Sequence, residues 1–296
     1  RASGHLNKVI SMIEDQEKCI NISMQLHAVV KALVEAKKTI IFAAHHDTKG
    51  QPLTTIWRSS LFTFGGLALI VMLLSFTAQA IADIFSLQFP KMVHIIGVVC
   101  AGIVIVCCIP LAFNGLVETS PGALDNASGV AAVYCLAKYF KNKPLKSTRI
   151  IYLITGAEEL GMLGAREYLF NSGVELDKEN TFMINFDMIA HKGSNVEIME
   201  KEGLINPKIP SKYLVSVADK AASMSGTKLD KFTLPIGGAT DRGVFTKAGY
   251  HGIDLINKKA AVITHSPKDC FECFDPKLAS KFINLSIDMA RIIDES

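Results

Sequence analysis

Apolar and polar positions follow three different rhythms along this chain. Two stretches lack any Lys, Arg, Asp or Glu: residues 59–82, which is 24 positions, and residues 93–117, where only His94 interrupts the apolar run. A helix needs about 20 apolar residues to cross a hydrocarbon core of roughly 30 Å. Both stretches are long enough. The connector, residues 83–92, is short and carries Pro90, which suits the start of a second helix. The pattern predicts a transmembrane hairpin, with spans of about 59–82 and 93–116 and both outer ends on one side. Ala78-x-x-x-Ala82 and Gly97-x-x-x-Ala101 have the small-residue spacing that lets such helices approach closely. A pair of buried core helices or strands is the alternative, but each stretch is apolar all round and exceeds 20 residues.

The other two rhythms are those of an α/β domain. Apolar residues at helical spacing predict helices over residues 6–18, 127–141, 161–171, 211–224 and 276–293. Strict alternation predicts a strand over 20–30, and short apolar runs predict strands over 39–44, 149–155, 181–189 and 252–256. Strands alternating with helices imply a sheet covered on both faces. The hairpin interrupts this domain rather than following it. The expected organisation is therefore a discontinuous domain, residues 1–58 and 117–296, with the hairpin at 59–116.

Composition changes this picture little. Of 296 residues, 49% are hydrophobic and 20% charged, an apolar excess that the two uncharged stretches account for. A net charge of +3 without basic, aromatic-interleaved runs argues against a nucleic-acid partner. Seven cysteines are too few for a disulfide scaffold, and Cys270-x-x-Cys273 lacks the second pair that a tetrahedral site requires. The first residue is Arg1 rather than Met, so an upstream segment, a signal peptide included, is compatible with this sequence.

Five short segments gather histidines and carboxylates beside the predicted strand ends, where ligands collect in open α/β sheets. They are Ala44-His45-His46-Asp47-Thr48, Pro121-Gly-Ala-Leu-Asp125-Asn126-Ala-Ser128-Gly129, Gly156-Ala-Glu158-Glu159-Leu-Gly161, Asn185-Phe186-Asp187-Met188 and Thr264-His265-Ser266-Pro267-Lys268-Asp269. Histidine with carboxylates suits zinc, and two ions can share one carboxylate and polarise one water. Taken singly, each segment has a plain structural reading: a core histidine, a solvated acidic pair, a turn or a helix cap.

In order and context, these segments resemble the dinuclear-zinc exopeptidases typified by leucyl aminopeptidase, aminopeptidase Y and glutamate carboxypeptidase II. The shared motifs are H-x-D, G-A-x-D-N-A-S-G with Leu124 in its variable place, A-E-E-x-G, a strand-end D-M and H-[ST]-x-x-D; Gly238-Ala-Thr-Asp241-Arg-Gly-Val-Phe245 is similar to a further S-D-x-x-x-F stretch. The resemblance implies a three-layer α/β/α sandwich around a mixed sheet, and two zinc ions per chain. It implies that Asp125 bridges the two ions, that Glu159 and His265 complete the first, and that His45 and Asp187 complete the second. It further implies that Asp47 orients His45 through a hydrogen bond, that Glu158 is the general acid–base, and that the Asp125–Asn126 peptide bond is cis. His46 rivals His45 by position, and the H-x-D spacing favours His45.

Two features depart from the family. The link between Asp47 and Asp125 is usually short, and here 77 residues fill it. Arg242 stands where relatives often have histidine, as a surface ion pair or a binder of a substrate carboxylate. The resulting expectation is a membrane-integral aminopeptidase acting on peptides, hydrophobic short peptides among them, with the zinc site facing the bilayer. A carboxypeptidase or dipeptidase, a single-zinc glutaminyl cyclase, and a metal-free receptor or scaffold are the other readings. Lys49 and Arg58 against Lys91 lean towards a cytoplasmic catalytic side.

Overall fold

The structure is a computed structural model and describes residue 11 and residues 38–88, 90–171, 176–203, 207–234 and 238–296. The helix expected over 6–18 and the strand over 20–30 lie outside the described residues, Ser11 apart. Six strands form one sheet: β1 (Lys38–His45), β2 (Thr148–Thr155), β3 (Thr181–Asp187), β4 (Val196–Glu202), β5 (Leu229–Leu234) and β6 (His251–Ile256), in the order β2-β1-β3-β6-β4-β5. β2, β1, β3 and β6 run parallel. β4 pairs antiparallel with β6, and β5 parallel with β4, which makes the sheet mixed.

The Thr-Ile-Ile-Phe-Ala-Ala run of β1 is buried on both faces, as a central parallel strand requires. Its side chains alternate between two cores. Ile40, Phe42 and Ala44 join Ile184 and Phe186 under Leu136 and Phe140, Ala218 and Ala221, and Phe282 and Leu285. These belong to helices α3 (Gly129–Asn142), α5 (Lys212–Ser225) and α7 (Pro276–Glu295). Ile41, Ala43 and Met183 face a smaller cluster with Ala165 of α4 (Leu163–Asn171) and Phe245 of α6 (Asp241–Lys247). This is the expected α/β/α sandwich. β4, β5 and α6 are additions to the sequence reading. Charged and polar residues interrupt both strands, Glu197, Glu200 and Lys201 in β4 and Asp230, Lys231 and Thr233 in β5, so neither shows an apolar run, and α6 spans only 7 residues.

The two uncharged stretches form α1 (Thr55–Ile84) and α2 (Lys91–Ala112), each extending a few residues beyond its expected start. They pack on each other where side chains are small: a Cβ on Gly65 would lie 3.1 Å from Cys107 Cβ, and one on Gly97 3.2 Å from Ser75 Cβ. Away from that seam Leu67, Leu74, Ile105 and Val106 are exposed. Among the described residues, neither helix is therefore a buried core helix. Where the hairpin leaves the domain its two strands of chain are stitched together. Gly50 and Val117 exchange N–H···O bonds of 3.0 Å in both directions, and Leu53 N–H donates to Asn114 Oδ1 at 2.9 Å.

That stitch depends on Gly50. A Cβ there would sit 2.4 Å from Val117 O and 2.9 Å from Thr119 N, both backbone atoms that cannot rotate away. Gly50→Ala is expected to destabilise the domain by about 1–3 kcal/mol, the usual cost of overpacking. A thermal melt of the detergent-solubilised protein will show this as a lowered Tm.

Candidate metal centre

Three parallel strands end side by side and deliver the site. His45 is the last residue of β1 and Asp187 the last of β3, each two positions beyond the final pair Ala43–Asn185. β2 ends opposite His45, and its following turn carries Glu158 and Glu159. Of the two histidines, His45 is buried at the end of β1, whereas His46, one residue past it, is exposed.

Asp125 sits in an irregular turn, Ala123–Ser128, whose motif residues each hold it in place. Asp269 accepts from the N–H groups of Leu124 and Asp125 at 2.7 and 3.1 Å. Asn126 Nδ2 donates to Phe186 O at 2.8 Å, and Asn126 Oδ1 accepts from Gly129 N and Met188 N. Ser128 Oγ donates to Leu124 O and accepts from Ile189 N. Gly129 is required because a Cβ there would lie 2.6 Å from Phe186 O. The Asp125–Asn126 bond is cis, as the resemblance implies.

The donor atoms converge in two groups that share Asp125. His45, Asp125 and Asp187 form one, and Asp125, Glu159 and His265 the other, each with donor atoms within 4.8 Å of one another. His45 Nε2 lies 3.3 Å from Asp125 Oδ1 and 3.9 Å from Asp187 Oδ1. His265 Nε2 lies 3.3 Å from Asp125 Oδ2 and 2.8 Å from Glu159 Oε1. Glu159 Oε1 is buried and accepts no hydrogen bond despite that approach. An orphaned carboxylate oxygen beside an imidazole nitrogen, in a set made only of His and carboxylate donors, fits a cation such as zinc.

The charge balance supports the same reading. Burial pushes Asp187 up to about 6 and Glu158 up to about 9, with Asp187 adding to the effect on Glu158. Burial opposes the charge on Asp125 as well, but His265 and His45 outweigh it and hold that carboxyl well below its ordinary range. Burial likewise opposes a proton on His45, yet Asp125, Asp187 and Asp47 retain it. In other words, protons hold together a cluster of converging carboxylates, and metal binding displaces such protons.

One expected contact differs. The Asp47 carboxylate is 3.7 Å from His45 Nδ1, too far for a hydrogen bond, and Nδ1 instead meets the Asp47 backbone O at 3.0 Å. The two Asp47 carboxylate oxygens accept from Glu158 N–H and Glu159 N–H, each at 3.1 Å, so Asp47 fixes the Glu158–Glu159 turn. Burial raises Asp47, but His45 and those two N–H groups outweigh it and hold it at about 2.

Arg242 also differs from expectation. It is neither on the surface nor in the cavity: it is fully buried and paired with Asp254 and Glu202. Three contacts were not anticipated. Thr264 donates to Asp125, Lys49 Nζ lies 2.9 Å from Glu159 Oε2, and Arg58 NH2 lies 3.0 Å from His265 Nδ1. A lone cation immediately before an uncharged stretch was the one available signal for Arg58. The donors line a cavity of about 340 Å³ whose wall includes Thr55, Arg58, Ser59 and Phe62 from the first turns of α1.

An α/β/α sandwich with His and carboxylate donors at the carboxyl ends of its parallel strands defines the metallopeptidase class that the motifs resemble. The family model described as Peptidase family M28 matches residues 113–290, and the chain belongs to that family. A second model, of metal-sensitive transcriptional repressors, matches residues 1–48, of which 38–45 form β1 of the peptidase sheet. Aminopeptidase YwaD of Bacillus subtilis is 29% identical over 164 residues, 53% of this chain and 34% of its own length. A vacuolar membrane protease of Candida glabrata is 24% identical over 59% of this chain and 18% of its own length. Among solved structures, BSAP, a zinc aminopeptidase from Bacillus subtilis, superposes with a TM-score of 0.52 at 18% identity, covering 86% of this chain and 46% of its own. A leucine aminopeptidase precursor from Bacteroides thetaiotaomicron gives 0.50 at 17% identity, covering 87% and 73%. The chain thus spans about a third of that YwaD relative and under half of BSAP.

Asp125→Asn is expected to lower bound zinc, measured by atomic absorption after dialysis, because a neutral amide is a much poorer ligand for a cation than a carboxylate. Acid should do the same to the unmodified protein. Asp187 titrates at about 6, so its carboxyl takes up a proton as pH falls through that value and competes with the cation. Zinc retained after dialysis at about pH 5 is expected to be well below that at about pH 7.5.

Proposed function

We propose that this chain is a membrane-integral zinc aminopeptidase with two metal sites sharing Asp125. One observation carries the reading: two His-and-carboxylate triads meet at Asp125, while Glu158, buried and 4.0 Å from His45 Nε2, belongs to neither. Bound there, zinc supplies the positive charge that polarises a scissile carbonyl and eases ionisation of the attacking water. His45 and Asp187 would hold one ion, Glu159 and His265 the other. Glu158 is left free to take the proton of that water and hand it to the departing amine. Asp47 positions that carboxyl by gripping the turn from behind. The acidic cavity floor also suits the ammonium group of a peptide N-terminus.

The membrane part of the reading rests on α1 and α2. Their most apolar 18-residue windows have mean hydropathies of 2.1 and 2.9, with only 11% and 17% of those windows buried. Apolar helices so exposed need either lipid or a partner, and their length fits a bilayer. We read residues 59–116 as a hairpin inserted into the peptidase domain. Since α1 begins at the wall of the cavity, the site then lies at the membrane surface.

Glu158→Gln keeps size and hydrogen bonding but cannot take the proton. Hydrolysis of Leu-Leu by the purified, zinc-loaded protein is expected to fall at least about 10²-fold, with zinc content unchanged. Undiminished turnover by that variant removes Glu158 from the role. Cleavage of acetyl-blocked but not free peptides replaces the aminopeptidase reading with a carboxypeptidase one.

A further inference from the structure

Arg58 is a half-buried cation in the wall of the cavity, and among the described residues it forms no ion pair. Its companion Lys49 is already spent on Glu159 at 2.9 Å. The Arg58 guanidinium is held by neutral acceptors instead: NH1 donates to Gln51 Oε1, and NH2 to Thr55 Oγ1 at 2.9 Å. NH2 also lies 3.0 Å from His265 Nδ1, and the buried Nε has no partner. Glu159 acts on this guanidinium only through space and no carboxylate hydrogen-bonds it among the described residues, so the charge it brings to the cavity wall is available to an anion that enters. Around it Phe62, Met162, Met188 and Leu234 supply apolar walls.

Resting on the aminopeptidase reading, we infer that Arg58 docks the C-terminal carboxylate of the substrate, and that the substrates are di- and tripeptides with a free carboxylate. The reach sets the length. Arg58 stands one imidazole ring and two contacts, 3.0 and 3.3 Å, from the shared Asp125. One or two peptide residues, at about 3.3–3.6 Å each, bridge that gap between a scissile carbonyl and a terminal carboxylate. A cavity of about 340 Å³ also lies at the small end for ligand pockets. Polarity sets the direction. The cationic wall repels the peptide ammonium and draws in the carboxylate, so the substrate lies with its C-terminus towards α1. Because Arg58 turns inward against His265 rather than outward along the helix, a lipid phosphate is not its partner.

The test compares Leu-Leu, its C-terminal amide and acetyl-Leu-Leu, using zinc-loaded protein reconstituted in phosphatidylcholine vesicles. The unmodified enzyme is expected to favour Leu-Leu over the amide by at least about tenfold in kcat/KM. Arg58→Gln is expected to collapse that ratio towards one, chiefly through KM, and Arg58→Lys to restore part of it. A Glu158→Gln background, zinc-loaded, gives a second readout free of turnover: calorimetric binding of Leu-Leu should weaken at least tenfold on adding Arg58→Gln. An unmodified enzyme that treats acid and amide alike overturns the proposal. So does a ratio indifferent to Arg58→Gln, including the case in which all substrates slow together as they would for a headgroup anchor. Cleavage of acetyl-Leu-Leu with the ratio still dependent on Arg58 instead overturns the aminopeptidase reading and leaves carboxylate docking in place.

Discussion

The fold is organised around a concentration of like charge. Asp125, Glu158, Glu159 and Asp187 are drawn together out of water, where carboxylates repel and desolvation penalises each. Nothing so unfavourable persists unless the scaffold forces it and something compensates it. The forcing comes from three parallel strands ending at one level and from the clamp of Asp269, Asn126 and Ser128 on the Asp125 turn. The compensation comes from His45, His265 and Lys49 in the protein itself, and from cations in the reading given above. Glu158 stays outside both donor groups, and burial first, then Asp187, raise its affinity for protons; cations bound beside it would lower that affinity towards the range in which a carboxylate can accept a proton.

Much of this was legible in the primary structure because the relevant signals are local. The β1 run, the apolar face of α7 and the two uncharged stretches each declare themselves within a single window, and the donor motifs sit immediately after strands. What was not legible is long-range. Asp47 was expected by resemblance to hydrogen-bond His45, yet its carboxylate reaches across to a turn 111 and 112 positions away. Arg242 could not be placed without knowing that Asp254 and Glu202 would close around it. β4 and β5 escaped because strands as rich in charged residues as Val196–Glu202 and Leu229–Leu234 do not look apolar. Lys49 and Arg58 were counted as charges flanking the hairpin, whereas both turn towards the metal centre; on the folded protein they no longer argue for a cytoplasmic side.

The hairpin shows how a large insertion can leave a ligand set intact. Its two ends need only be brought together, and the Gly50–Val117 bridge with the Leu53–Asn114 bond does that a few residues from His45 and Asp125. The 77 residues between Asp47 and Asp125 are then equivalent, for the domain, to a short closed loop. The entropic cost of the long connection is met by the mutual packing of α1 and α2 rather than by the catalytic core.

The two helices differ in length, and in the membrane reading given above that difference would couple chemistry to the lipid. α1 has 30 residues and α2 has 22, so at about 1.5 Å per residue α1 is about 45 Å long, well beyond a hydrocarbon core of roughly 30 Å. The excess of α1 includes its first turns, which carry Arg58 and Phe62 into the cavity. A span adjusts its tilt to match its apolar stretch to the bilayer. With the rest of α1 embedded, a change of membrane thickness would tilt the helix and swing the wall it carries against a floor fixed by the sheet, making acyl-chain length a rheostat for turnover.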